Sequence, residues 1–282
     1  MEAKMKSAQI VIEPVSGWQL INWRELRDYR DLFRFLVDRD IKVLYKQTVL
    51  GFGWAILRPL LSMVIFTVIF GNLAQVDSDG VPYAIFSYVA LVPWLYFSTA
   101  LSASALSLVS NTDMLTKIYF PRLVFPMTPV VSKLVDFVIS FAIVFVLMAL
   151  FRIAPTARIV YIPLLISLMM LTAAGAGFWL SAMSVQYRDV KHAMPFLTQL
   201  LMYAAPVVWS AALIEERFGP TGRLLFGLSP MVGVIEGFRS ALLNTGPMPW
   251  DMLAVGTVSA LVLFVSGLFY FRRMEAFFAD VA

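Results

Sequence analysis

The chain has 282 residues, 60% of them hydrophobic and 14% charged, with no cysteine and a net charge of +4. A soluble domain is about 45–50% apolar and about 25% charged, so this balance excludes an ordinary soluble protein and points to one that crosses a membrane repeatedly. Without cysteine there is no disulfide framework and no thiol chemistry.

Residues 1–20 contain Pro14 and Gly17 and read as an extended lead-in. Charged residues precede any apolar run, which is not the pattern of a signal peptide. Residues 22–46 predict an amphipathic helix. Asn22 and Glu25 resemble a capping pair. Leu26, Tyr29, Phe33, Leu36 and Leu44 recur at helical spacing, with Arg24, Arg27, Asp31, Arg34, Asp38 and Lys42 between them. A basic helix with one apolar face suits the plane of a membrane surface; a helix of a small soluble domain is the alternative.

From Arg39 to Leu60 the chain changes from densely charged to almost wholly apolar. Arg39, Lys42, Lys46 and Arg58 stand at the changeover with Tyr45 and Trp54, the basic and amphipathic aromatic mixture of a membrane–water interface. Apolar runs of spanning length then follow at about 54–75, 83–110, 124–151, 159–184, 194–214 and 252–271. A further stretch, LLFGLSPMVGVIEGFRSALL at 224–243, mixes Gly, Pro, Glu236 and Arg239, which suits two half-helices better than one span.

Charge placement sets the count. With six spans, 17 of the 22 Lys and Arg residues fall on one side and 5 on the other. The Lys/Arg-rich side is cytoplasmic. A seventh span would put Arg272 and Arg273 outside. The sequence therefore predicts an all-α membrane protein of six helices with both termini cytoplasmic. Residues 1–53 carry an interface helix, 54–271 the membrane domain, 272–282 a tail, and 215–250 a re-entrant hairpin on the outer side. In span 4, Ala173, Gly177 and Ser181 recur every four residues, a stripe for close helix packing. Pro93, Pro126, Pro129, Pro163, Pro195 and Pro206 predict kinks or helix starts.

Between spans 2 and 3, NTDMLTKIYFPRLVFP predicts a short helix capped by Asn111 or Thr112, with Asp113 near its positive end and Pro121 stopping it. Its aromatics either sit among lipid headgroups or await a partner. No G-x-x-x-x-G-K-[ST] loop occurs, so the chain is not expected to hydrolyse ATP, and no catalytic set is visible. His192, the one histidine, stands beside Arg188 and Lys191 and reads as an interfacial residue; no metal site is expected. Lys133 with Asp136, and Glu236 with Arg239, are opposite charges three residues apart and read as self-neutralising pairs. Tyr83, Phe86, Tyr88, Trp94, Tyr96 and Phe97 crowd span 2, and Tyr203 and Trp209 lie on span 5. Such rings suit an interfacial belt, or a wall on which sugar faces slide. Arg39, Lys42, Lys46 and Arg58 suit either orientation of the protein or the phosphates of a lipid carrier.

VDRDIKVLYKQTVLGFGWAILRPL, LTKIYFPRLVFP, QYRDVKH and LSPMVGVIEGFRSALL, in this order over roughly residues 15–271, resemble the ABC-2 type membrane subunits of polysaccharide exporters, the O-antigen, capsule and teichoic-acid permeases. The resemblance implies a homodimer combined with two separate ATP-binding cassette subunits, which bind the ATP and magnesium; this chain holds no cofactor and meets no nucleic acid. It implies a coupling helix at 112–122, with Thr116, Lys117, Ile118, Tyr119, Phe120, Pro121 and Arg122 against the ATPase, joined there by Phe33 and Arg34 of the interface helix. It implies a bacterial inner-membrane location and a channel for a lipid-linked glycan beside spans 1, 2 and 5. A secondary transporter would show inverted repeats, and a membrane enzyme clustered His, Asp and Glu; the sequence displays neither.

Overall fold

The computed structural model describes residues 27–46, 50–117 and 121–275, which are helical with no strand among them. The expected Asn22–Glu25 cap, the apolar patch Ile118, Tyr119 and Phe120, and the end of the tail lie outside the described residues. The first helix, α1, spans Arg30–Tyr45. Leu36 is fully buried and Phe33 half-buried on its inner face, while Phe35 and Val43 are exposed. The amphipathic pattern is therefore used, with α1 packed along one side of the bundle.

Helix α2 spans Gly53–Phe66 and continues as a π-helical turn over Thr67–Leu73. Helix α3 runs Tyr83–Ala105, followed by one turn, α4, at Ser107–Ser110 and the short α5 at Thr112–Lys117. The Asn111 amide donates back to the Ser107 carbonyl at 2.8 Å rather than capping α5. The third apolar run is broken at Lys133 into α6, Val124–Ser132, and α7, Leu134–Leu150. Pro129 inside α6 removes a helix donor just before that break. A 3-10 turn at Ala157–Tyr161 leads into α8, Ile162–Gln186, whose start carries Pro163.

Five of the described helices are long and apolar enough to cross a membrane: Gly53–Leu73, Tyr83–Ala105, Val124–Leu150, Ala157–Gln186 and Trp250–Glu275, the last being α12. The run expected at 194–214 differs. Helix α9 starts earlier, at Asp189, and stops at Ala204, 16 residues in all. At about 1.5 Å per residue it reaches roughly 24 Å. The chain then leaves helical geometry until α10, Ala212–Gly227, which bends at Gly219 (φ 67°). Pro230 opens α11, Pro230–Leu243, and Asn244 closes it in the left-handed conformation (φ 58°). The stretch 224–243, expected as two half-helices, instead holds the last turn of α10 and the whole of α11, divided at Leu228–Ser229.

Helix α3 is the hub, buried along nearly its whole length and packed by α2, α6, α7, α8 and α11. The broadest helix pairing joins α8 to α12. Glycine permits it: a Cβ on Gly175 would lie 2.7 Å from the Phe264 backbone nitrogen, and one on Gly267 would lie 2.5 Å from the Gly175 carbonyl. Gly177, in the small-residue stripe, faces Ser104 of α3, and Ser181 approaches Ser107 at 3.3 Å. Gly175→Val is expected to cost about 1–3 kcal/mol by forcing α8 from α12. It should lower the melting temperature of the detergent-purified protein, whereas Gly246→Ala, whose Cβ meets nothing within 4 Å, should leave it unchanged.

Candidate functional site

Two polar clusters stand out in the bundle. In the first, Arg239 on α11 is completely buried. Its guanidinium donates to Glu236 Oε1 at 2.8 Å, to the Trp209 carbonyl at 3.0 Å and to the Val207 carbonyl at 3.0 Å. Its face lies 3.5 Å over the Phe86 ring, and its Nε finds no acceptor. Glu236 Oε1 also accepts the Ala211 amide at 3.2 Å, and the Tyr83 hydroxyl donates to the Val208 carbonyl at 2.7 Å. Asp79 accepts from Ser210 at 2.8 Å, which anchors the loop before α3 to the same bend. The irregular chain between α9 and α10 is thus held by α3 and α11.

In the second cluster, the Tyr45 hydroxyl donates to Asp136 Oδ1, and Lys133 lies 3.8 Å from the second oxygen of the same carboxylate. Burial, and then the hydrogen bond to Asp136, push the Tyr45 phenol above its ordinary value, so it remains a donor. Tyr45 stacks on Phe52 with ring centres 3.8 Å apart. Arg39 pairs with Asp40 at 2.9 Å and reaches Met114 Sδ of α5 at 3.5 Å. A cavity of about 310 Å³ opens beside this cluster, with Arg58 and Lys133 among apolar Leu44, Trp54, Leu95 and Phe137.

The other candidate residues separate into three groups. Thr116 and Lys117 end α5; Pro121 is buried beyond it, and Arg122 donates to the Glu275 carbonyl at the end of α12 at 2.5 Å. Arg34 is exposed, 4.0 Å from Asp31, and Lys42 and Lys46 are exposed at the end of α1. The six α3 aromatics, Tyr83, Phe86, Tyr88, Trp94, Tyr96 and Phe97, lie buried in the core of the chain. Tyr88 donates to the Ser140 carbonyl at 3.1 Å and Tyr96 to the Val130 carbonyl at 2.6 Å, so both act as struts to α7 and α6. Tyr203 is 52% exposed, and Trp209 Nε1 donates to its carbonyl at 3.3 Å. His192 is exposed in the first turn of α9. Sequence reasoning paired Asp136 with Lys133 but missed Tyr45, 91 positions away. An acid in the middle of an apolar run was the available signal.

These features define a multi-pass helical membrane protein with no enclosed catalytic centre among the described residues. The profile of the ABC-2 type transporter family matches residues 31–243, and the chain belongs to that family. It is 29% identical over 255 residues to the O-antigen export system permease protein RfbA of Myxococcus xanthus, covering 90% of this chain and 96% of the relative. A Klebsiella pneumoniae protein of the same name is 25% identical over 252 residues, covering 89% and 95%. The polysialic acid transport protein KpsM of Escherichia coli is 23% identical over 246 residues, covering 84% and 92%.

Removing one partner of a buried ion pair costs about 3–5 kcal/mol, because the other charge is stranded. Glu236→Gln and Arg239→Met are each expected to destabilise the purified protein on that scale. The double variant should lose less than the two singles combined, a non-additivity that thermal unfolding of all three detects.

Proposed function

We propose that this chain is the membrane-spanning permease subunit of an ATP-driven exporter of a lipid-linked polysaccharide. The observation that carries the reading is the end-to-end similarity to O-antigen and polysialic acid export proteins, over 84–90% of this chain. The subunit would work as a homodimer with two separate ATPase subunits in a bacterial inner membrane. It makes six crossings, the fifth by α9 and the irregular stretch after it, with α10 and α11 dipping back from the outer face and both termini cytoplasmic. Charge placement supports that orientation, and the clamp on residues 207–211 supports non-helical backbone at membrane depth. The apolar faces of α2 and α9, with Leu61, Val64, Phe196 and Leu200 exposed, are available to a second copy.

In this arrangement α5 and residues 118–122 rest on the ATPase, with Phe33 and Arg34 of α1 beside them. Arg58 and Lys133, at the mouth of the mainly apolar cavity, suit the phosphates of a lipid carrier, with Arg39, Lys42 and Lys46 drawing the headgroup in. The exposed Tyr203, with Trp209 beside it, offers stacking faces for sugar rings between two copies, and the buried α3 aromatics form the wall behind.

The tagged chain, expressed with its genomic neighbours, should bring down a nucleotide-binding protein; a clean preparation lacking one would sink the exporter reading. Reversing charge at Lys117 and Arg122 together should reduce export at least tenfold and leave ATP hydrolysis unresponsive to substrate, as measured in reconstituted vesicles. A fluorescent protein fused after Ala282 should light up in the cytoplasm, and an alkaline phosphatase at the same position should remain inactive.

A further inference from the structure

Helix α1 lies across a break in another helix. It packs along α6, with Leu36 fully buried, while the side chain of its last residue, Tyr45, bonds to Asp136 on α7, beyond the break. The break itself is soft. Helix α6 ends at Ser132 and α7 begins at Leu134, and Pro129 has already removed one helix donor. Further back along α1, Arg39 reaches Met114 on α5. A single rigid helix therefore touches α5 at one point, one half of a jointed span along its side, and the other half at its end.

Asp136 is also close to a junction. One turn on, the Ser140 hydroxyl donates to the Ala55 carbonyl at the start of α2 at 2.7 Å, and the Ser140 carbonyl accepts from Tyr88 of α3 at 3.1 Å. Displacing the first turn of α7 thus acts on α2 and α3 together. Lys133 neutralises the carboxylate from within the span, but it sits at the break itself and ties Asp136 to nothing on α1.

We propose that the Tyr45–Asp136 hydrogen bond is the link by which movement of α1 bends the third span at Lys133 and so shifts α2 and α3. Tyr45 and Asp136 are positioning residues: they pass displacement, not substrate. The inference rests on the reading of the chain as an ATP-driven permease, since the motion it transmits originates in the partner subunit.

Hydrogen exchange followed by mass spectrometry on the permease–ATPase complex, with and without ATP trapped by vanadate, tests it without any substrate. In the wild-type complex, trapping should change exchange in both α1 and residues 134–140. Tyr45→Phe keeps the ring and its stack on Phe52 but loses the hydroxyl. It should preserve the α1 response and reduce the 134–140 response at least fivefold. Asp136→Asn, which still offers an acceptor, should keep both responses. Should Tyr45→Phe fail to assemble, Asp136→Ala is read in the same way. A full 134–140 response in a variant lacking the bond would overturn the link. A wild-type complex in which α1 itself ignores ATP would overturn the exporter reading and take the link with it.

Discussion

A buried backbone carbonyl that leaves a helix must find a donor or cost about 1–3 kcal/mol, and much of this structure is arranged around meeting that demand. Between Ala204 and Ala212 the chain is not helical. Three successive carbonyls there, at Val207, Val208 and Trp209, are taken by two side chains, Arg239 and Tyr83. Arginine suits the task because its planar fork reaches two carbonyls and a carboxylate at once, which a lysine ammonium on a flexible stem does less well. Glu236 neutralises the charge and also accepts the Ala211 amide, and the Phe86 ring covers the guanidinium face. Without this group α9 and α10 could not be joined by a bend of this shape, and the short helical pair would have no fixed origin.

The same device recurs along α3. Tyr88 and Tyr96 send hydroxyls to carbonyls on α7 and α6, and Ser104 donates to the Pro126 carbonyl at 2.8 Å. The Val130 carbonyl that Tyr96 serves lies in the last turn of α6, where helical donors run out. A membrane offers no hydrophobic force between helices, so such hydrogen bonds and close glycine contacts hold the bundle together. Aromatic residues on α3 thus combine two properties: a large apolar ring for the core and a polar tip for a specific carbonyl.

Local chemistry was legible in the sequence, and partners distant in the chain were not. The apolar runs located the helices, Pro230 marked the start of α11, and the paired charges Glu236 with Arg239 and Lys133 with Asp136 stand three residues apart on their helices as read. The amphipathic face of α1 was read from spacing, and Leu36 is buried on it. The end of α9 was misplaced by about ten residues because Ala205–Ser210 is as apolar as a helix interior, and composition does not reveal that Arg239, some thirty positions on, accommodates its carbonyls. The break at Lys133, by contrast, had a local signal in Pro129, one of the prolines read as a kink or helix start. For the α3 aromatics, a ring aimed at a pore and a ring aimed at a core have the same spacing, so only packing distinguishes them.

The two polar clusters differ in how firmly they are tied. The clamp on the α9–α10 bend is an ion pair with one partner wholly buried, which makes its rupture costly. Around α1 the polar ties are single side chains in partly exposed surroundings, Arg39 to Met114 and Tyr45 to Asp136. A hydrogen bond to a charged group is worth about 1.5–3 kcal/mol, less than the rupture of a buried ion pair. Phe238, next to Arg239, packs against Phe137, next to Asp136, with ring centres 6.2 Å apart, so a displacement passed from Tyr45 to α7 reaches the helix of the clamp directly as well as through α3.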